Sequence, residues 1–122
     1  MLFDPVEFFH LAEFLYSEQK HQAGYRATIG RAYYAAMLFA RNKAGISSRG
    51  VGGHQSVVNF YRANSDANLA VIGNRLDDLR ASRANSDYEC TIVISSREAG
   101  KCLAQSREIL NKLGCTLIKK TL

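Results

Sequence analysis

The sequence predicts an all-α protein, an up-and-down bundle of four or five helices. Apolar residues recur at helical spacing along most of the chain, two capping boxes mark helix starts, and one stretch with strand propensity stands alone. The length of 122 residues is that of one domain, so we expect a single helical domain over residues 1–122. The apolar content of 47% and the charged content of 22% exclude a disordered chain.

The first helix is expected to begin at a strong start signal and to run to about residue 19. Asp4 can cap this helix, Pro5 suits its first position, and Glu7 has the spacing of a capping box. The apolar residues that follow at helical spacing are expected in the core, namely Phe8, Leu11, Ala12 and Leu15.

The second helix, expected over residues 25–43, has apolar residues on two faces. One face carries six of them at helical spacing: Tyr25, Ile29, Ala32, Tyr33, Ala36 and Ala40. Tyr34 and Leu38 lie on nearly the opposite side. Such a helix is either central in its own bundle or packed on a partner chain as well, so a homodimer is one expectation.

Polar and glycine-rich segments separate the remaining helices. Residues 45–53 are expected to form a loop, and they lack the Gly-Lys-Ser/Thr of a phosphate-binding loop, which favours a flexible connection. Helices are expected over residues 54–62 and 68–87. Residues 90–94 are interpreted as a packed connector rather than a sheet strand, and residues 119–122 as a loose tail.

The fifth helix has the clearest pattern in the chain. Ser95 and Glu98 have capping-box spacing at its start, and Gly114 is a natural stop. Seven residues between them form one stripe at helical spacing: Ala99, Cys102, Leu103, Ser106, Ile109, Leu110 and Leu113.

The net charge of the chain bears on the kind of partner it binds. The net charge is +5, and ten of the sixteen basic residues are arginine, whose guanidinium matches phosphate in a bidentate way. This balance favours an acidic partner such as RNA, although solubility alone explains it equally well. No apolar run approaches the roughly 18–20 residues of a membrane span, and the first residues do not form a signal peptide, so no membrane association is expected.

The cysteines and histidines do not form a metal site in the sequence. The three cysteines are odd in number and lack C-x-x-C spacing, which fits a reducing cytoplasm. The three histidines are scattered and none is close to a cysteine. We therefore expect no metal and no cofactor.

The fourth helix carries a break in its apolar pattern. The apolar stripe of this helix is centred near Leu76, which we place at 0° around the helix axis. Three charged residues at the end of the helix lie within about 40° of Leu76, on the same side: Arg80, Arg83 and Asp87. A guanidinium on a core stripe must be paired or must line a wet cleft, and Arg83 and Asp87 are i, i+4 neighbours that can form an ion pair. With Asn85 and Tyr88 they form a polar group at one end of the bundle. The alternative is that the bundle ends there and these residues are solvated.

Two segments resemble the signatures of the HEPN superfamily (higher eukaryote and prokaryote nucleotide-binding domain). Residues 31–36, Arg-Ala-Tyr-Tyr-Ala-Ala, resemble its "S-R-A-Y-Y-A" signature, with Gly30 in place of the serine. Residues 79–89 resemble the "L-R-x-x-R-x-x-A-D-Y" segment of its small stand-alone members, with Ser86 in place of the alanine. His54 stands where those members often have a histidine.

The resemblance implies a HEPN-like helical bundle that forms a homodimer and engages RNA or nucleotides. It also implies a toxin–antitoxin or phage-defence system, in which such proteins are often encoded beside a nucleotidyltransferase. Many members are metal-independent ribonucleases with an Arg-x4–6-His motif, in which the arginine binds the scissile phosphate and the histidine assists transfer to the RNA 2′-hydroxyl.

The motif departs from the family pattern in this chain. Arg83 matches the arginine, but Tyr88 stands where the histidine is expected. Tyrosine has a pKa near 10, which makes it a poor general base at neutral pH. The candidate catalytic residues are therefore Arg83, Tyr88 and His54, which would act from another helix.

Two functions stay open on the sequence. In the first, RNA phosphate is bound by four residues at the end of the fourth helix: Arg80, Arg83, Asn85 and Asp87. In the second, the chain is a non-catalytic dimeric module, Arg83 and Asp87 form a structural ion pair, and an interface forms from Arg31, Tyr34 and Leu38. The partner is then a nucleotidyltransferase or another effector.

Overall fold

The structure, a computed structural model, describes residues 3–47 and 52–117, and this part of the chain contains five α-helices and no β-strand. The helices are α1 (Val6–Glu18), α2 (Gln22–Ala44), α3 (Gly53–Arg62), α4 (Ala67–Tyr88) and α5 (Ser96–Lys112). The all-α prediction is confirmed for the described residues. Residues 48–51 of the predicted loop and the predicted tail at 119–122 lie outside them.

The second helix is central, because it packs against all four of the others. Ile29 and Tyr33 belong to a core shared with α3, α4 and α5, whereas Ala32 belongs to a second core shared with α1 and α5. Tyr34 and Leu38 are half-buried within the same chain. The central position of the second helix, one of the two explanations for its two apolar faces, is therefore observed.

The start of α5 agrees with its capping signal, whereas α1 begins one residue later than expected, with Pro5 and not Asp4 at its N-cap. The Ser95 hydroxyl accepts a hydrogen bond from the Glu98 backbone N–H at 3.0 Å, and the Asp4 carboxylate accepts one from the Val6 N–H at 3.0 Å. Gly114 has φ +76°, a left-handed conformation that favours glycine at a helix end. All seven residues of the predicted α5 stripe are buried, so this element is confirmed in full.

The expected core face of α1 is only partly correct, because Ala12 is buried as predicted but Leu11 is not. Leu11 is 42% exposed, whereas Phe9 is 1% exposed. The buried face runs through the predicted Ala12, and also through Phe9 and the half-buried Tyr16, which were not predicted. Since Phe8 and Phe9 are adjacent and about 100° apart on a helix, either can begin an i, i+3, i+7 stripe, and the packing against α2 and α5 selects Phe9.

The connector after α4 is held by two side chains of α2. The Gln22 amide donates to the Ile94 carbonyl at 2.6 Å and accepts from the Ile94 N–H at 3.0 Å. The Arg26 guanidinium donates to three carbonyl groups, those of Ser86, Glu89 and Ile92. The segment contains no strand, as predicted, but it is not packed, because only Ile94 is buried and residues 90–93 are exposed. The hydrogen bond from Arg26 to the Ser86 carbonyl ties the end of α4, the helix that carries Arg83, to α2.

None of the helices in the described segments is long and apolar enough to cross a bilayer.

Candidate functional site

Arg83 lies at the centre of a polar cluster between α2 and α4. Its side chain is 19% exposed, and its guanidinium carbon lies 5.5 Å from the ring centroids of both Tyr33 and Tyr34. Its Nη1 donates a hydrogen bond to the Tyr34 hydroxyl at 3.0 Å, and its Nε is 3.7 Å from the Asp87 carboxylate. The guanidinium on the core stripe is thus paired and stacked, as its helical position required.

One donor of Arg83 is left unused. Its Nε is buried and has no hydrogen-bond partner among the described residues, because 3.7 Å to Asp87 is too long for a hydrogen bond. Buried donors in folded proteins are nearly always satisfied, so an unpaired one at a cationic group is a candidate contact for an anion.

His54 lies on the other side of Tyr33. Its Nδ1 is 2.7 Å from the Tyr33 hydroxyl oxygen, its Nε2 is 3.0 Å from the Asp77 carboxylate, and its side chain is 11% exposed. An ionised carboxylate only accepts, so Nε2 carries a proton and donates to Asp77. In the neutral ring Nδ1 then accepts from the Tyr33 hydroxyl, which leaves a hydrogen-bonded chain of hydroxyl, imidazole and carboxylate.

The Asp77 carboxylate is itself fixed by α3. Arg62 donates to it at 2.7 Å from Nη2 and to the Asn74 side chain at 2.9 Å from Nε. Gly73 makes this close approach of α3 and α4 possible, because a Cβ there would lie 2.8 Å from the Val58 carbonyl oxygen. The orientation of His54 is therefore determined by contacts on two helices.

Arg83 and His54 consequently meet at one aromatic ring. We call the residues that meet there the Tyr33 cluster, defined as Tyr33, Tyr34, His54, Asp77 and Arg83. The exposed Arg80 is on the same helix and close enough to influence the titration of both Tyr33 and His54. The cluster combines the guanidinium of Arg83 with a histidine held in one tautomer, and Arg80 adds a second positive charge beside it, which is chemistry suited to binding a phosphate and moving a proton.

Burial sets the protonation states in the cluster. Burial raises the pKa of Tyr33 to about 12, although Arg83 and Arg80 oppose the shift. Burial also lowers the pKa of His54 from its ordinary value of 6.5, and Arg80 and Arg83 add to that shift, while the hydrogen bond to Asp77 opposes it. The hydrogen bond from His54 is the main cause that lowers the pKa of Asp77, with Arg62 adding to it. Near neutral pH the histidine is therefore uncharged and Asp77 is ionised.

The lowered pKa of His54 predicts a pH dependence of stability. Just below pH 6.5 the unfolded chain binds a proton at His54 that the folded chain does not. The neutral form of His54 therefore contributes to the free energy of unfolding above pH 6.5. This contribution is lost as the pH falls through the pKa that His54 has in the folded chain. Urea denaturation between pH 8 and pH 5 should show this loss in the wild type and a smaller loss in His54→Gln. Equal pH profiles for the two proteins would contradict it, since Asp77 titrates below this range.

The structure does not bring all of the predicted site residues together. Tyr88 is the last residue of α4 and is 71% exposed, and no contact joins it to Arg83 among the described residues. Asn85 is exposed, and Asp87, 41% exposed, reaches Arg83 only at 3.7 Å. His54, which the sequence places far from Arg83, shares a contact with it at Tyr33 and is therefore the better candidate for proton transfer.

The predicted interface residues have contacts within the chain. The Arg31 guanidinium carbon lies 5.0 Å from the Phe8 ring centroid and 5.3 Å from that of Tyr34. Tyr34 accepts the hydrogen bond from Arg83 and so belongs to the Tyr33 cluster. Leu38 is half-buried one turn further along α2.

Sequence reasoning missed Tyr33, Asp77 and Arg62 as parts of the site. Tyr33 is predicted in the core, where it does lie, at 5% exposed, but it also links His54, which contacts its hydroxyl, to Arg83, which lies over its ring. Asp77 follows Leu76 directly and lies about 100° from the apolar stripe, the position of an ordinary surface residue. A link between His54 and Asp77 is a contact across 23 residues, which no local pattern indicates.

The comparisons with known proteins name no function. The chain is 31% identical over 107 residues to the uncharacterized protein MJ0628 of Methanocaldococcus jannaschii. The match covers 72% of this chain and 64% of that relative's length. No family model matches the chain. A search of solved structures finds no match either. Among the described residues, no group of three His, Cys, Asp or Glu side chains is placed to hold a metal ion.

Proposed function

We propose that this chain is a HEPN-like protein that binds RNA at the Tyr33 cluster and cleaves it by metal-independent transesterification. The observation that carries the proposal is that His54 and Arg83, from two different helices, both contact Tyr33, at 2.7 Å from its hydroxyl and 5.5 Å from its ring centroid. The resemblance of residues 31–36 and 79–89 to the HEPN signatures supports the same reading.

The proposed reaction needs only groups of this chain. The RNA 2′-oxygen attacks the adjacent phosphorus, the bond from phosphorus to the 2′-oxygen forms, and the bond to the leaving 5′-oxygen breaks. The products are a 2′,3′-cyclic phosphate and a 5′-hydroxyl. Arg80 and Arg83 stabilise the charge that builds on the pentacovalent phosphorus.

The proton moves through the Tyr33 hydroxyl. As this hydroxyl takes the proton of the RNA 2′-hydroxyl, it passes its own proton to His54 Nδ1, which is 2.7 Å away. Tyr33 never becomes a free tyrosinate, so its raised pKa is no obstacle. Asp77 stabilises the imidazolium that forms, and the proton then returns to the leaving oxygen. Neutral His54 is available as the base because burial lowers its pKa.

We further propose the cellular system and the protein partner that the resemblance implies. The protein would be a cytoplasmic, homodimeric component of a toxin–antitoxin or phage-defence system, with a nucleotidyltransferase as its protein partner. A nucleotidyltransferase gene beside this one would support this setting, whereas its absence would favour RNA cleavage without such a partner.

The second candidate function is a non-catalytic dimeric module. It is favoured by the internal bonding of the cluster, since Arg83 is only 19% exposed and both ring nitrogens of His54 already have partners. In this case the cluster joins α2, α3 and α4, and any activity belongs to the partner.

The two functions are separated by an RNA assay without metal. The purified chain is incubated with tRNA and with a single-stranded RNA in EDTA, and the ends of any fragments are identified. We expect fragments with 2′,3′-cyclic phosphate and 5′-hydroxyl ends. Intact RNA in both reactions, from a protein that is folded, would remove the catalytic function and leave the module.

A further inference from the structure

Arg83 is one end of a continuous series of stacked cations and aromatic rings. Its Nη1 contacts the Tyr34 hydroxyl at 3.0 Å, and Arg31 lies between the rings of Tyr34 and Phe8 at 5.3 and 5.0 Å from their centroids. Beyond them, the ring of Phe3 meets that of Phe8 edge-on, with centroids 4.9 Å apart. We call the four residues beyond Arg83 the aromatic ladder: Tyr34, Arg31, Phe8 and Phe3.

The ladder leads from the Tyr33 cluster to solvent. Tyr34, Arg31 and Phe8 are half-buried, and Phe3 at the outer end is 39% exposed. An exposed aromatic ring that is supported by a neighbouring ring has a defined orientation, so it can stack on a planar ligand at little cost in conformational entropy.

The charge of the ladder is not compensated within the described part of the chain. Arg62, Arg75 and Arg107 each have a carboxylate within about 3 Å, whereas Arg31 has only aromatic rings beside it. Arg80 has no carboxylate partner there either. Uncompensated guanidinium groups that alternate with aromatic rings are the combination that binds the phosphates and the bases of an unpaired strand.

We propose that the aromatic ladder binds single-stranded RNA beside the phosphate held at Arg83. A base stacks on Phe3, and Arg31 contacts the backbone phosphate between that base and the cluster. A duplex does not fit this role, because its base faces are already stacked on each other. The inference rests on the proposed function, whose substrate class it specifies.

Charge favours RNA over a second copy of the chain on this face. In a two-fold contact the same patch meets itself, so Arg31 would face a surface with the same uncompensated charge. The net charge of +5 adds to that repulsion, whereas RNA supplies the missing negative charge.

The test measures binding of a fluorescent, uncleavable 2′-O-methyl oligonucleotide by anisotropy, together with an abasic analogue and a duplex of the same sequence. Phe3→Ala is compared with Phe60→Ala, which removes another exposed ring, 46% exposed and edge-on to Tyr61 at 5.1 Å. We expect Phe3→Ala to weaken binding of the single strand roughly 5- to 150-fold, towards the affinity of the abasic analogue. Phe60→Ala should bind like the wild type.

Three results would overturn the inference, and each has a distinct meaning. If Phe3→Ala and Phe60→Ala bind alike while Arg83→Ala binds weakly, the ladder is wrong and the proposed function stands. If the wild type binds none of the three oligonucleotides, both are wrong. If Phe3→Ala leaves RNA affinity unchanged but halves the mass in solution, the face is an interface between two copies.

Discussion

Replacing Arg83 by alanine is expected to lower the rate of RNA cleavage in EDTA by about 100- to 1,000-fold. Loss of one donor that stabilises charge in the transition state typically has an effect of about this size. Arg83 lies against Tyr33 and its side chain is still 19% exposed, so we expect its guanidinium to contact the phosphate. The measurement is the single-turnover rate on a single-stranded RNA.

Arg75→Ala is the matched control for Arg83→Ala. Arg75 lies on the same helix, two turns earlier, is 39% exposed, and is paired with Glu108 at 3.0 Å. Its replacement removes the same charge but should leave the cleavage rate within about twofold, because exposed ion pairs contribute about 1 kcal/mol or less to stability. Equal rates for the two variants would contradict the assigned role of Arg83.

Arg83→Ala also distinguishes the catalytic function from the structural one. Arg83 joins α4 to α2 through Tyr34, so some loss of stability is expected in either case. A variant that unfolds under the assay conditions would favour the structural ion pair. Circular dichroism and a urea denaturation curve therefore accompany the rate measurement, and Arg83→Lys, which keeps the charge, should fold and retain part of the activity.

Replacing Tyr33 by phenylalanine is expected to lower the cleavage rate about 100-fold or more while the fold is kept. The change removes only the hydroxyl that links His54 to the RNA, and general acid–base groups typically contribute about 10²- to 10⁴-fold. The ring remains, so the stacking with Arg83 at 5.5 Å is preserved. The measurement is the cleavage rate as a function of pH.

Tyr61→Phe is the control that separates proton transfer from stability. Tyr61 is also buried, at 2% exposed, and its hydroxyl donates to the Ala40 carbonyl at 2.7 Å outside the cluster. Both variants lose one buried hydrogen bond, so each should cost about 1–3 kcal/mol of stability. Only Tyr33→Phe should lose cleavage; a parallel loss in Tyr61→Phe would mean that stability, not chemistry, explains the effect.

Local sequence patterns were sufficient to predict the ends and the buried residues of a helix that has a single apolar face. The fifth helix was predicted with its cap, its stop and every buried residue, since Ser95 and Gly114 carry strong end signals and the stripe between them has no competing face. The buried face of the first helix was predicted only in part, because Phe8 and Phe9 each begin a stripe of apolar residues and the two stripes are equally good. Only the packing against α2 and α5 decides between them.

Helical spacing predicted the end of α4 around Arg83 as the candidate site, and His54 was named only through the family resemblance. A guanidinium on an apolar stripe must have a partner, and the periodicity of α4 alone identifies that residue. Its closest hydrogen-bond partner, Tyr34, is 49 residues away, and the bond from His54 to Asp77 joins residues 23 apart. These contacts depend on how α2, α3 and α4 pack, which no spacing in the sequence encodes.

The central claim, that RNA phosphate binds where Arg83 and His54 meet Tyr33, is tested most directly by NMR. The Arg83 side-chain Nε–H and the His54 ring nitrogens are followed while an uncleavable single-stranded oligonucleotide is added. We predict that both groups shift along the same saturation curve, with the Arg75 Nε–H unchanged. Saturable binding that leaves the Arg83 and His54 signals in place would contradict the account.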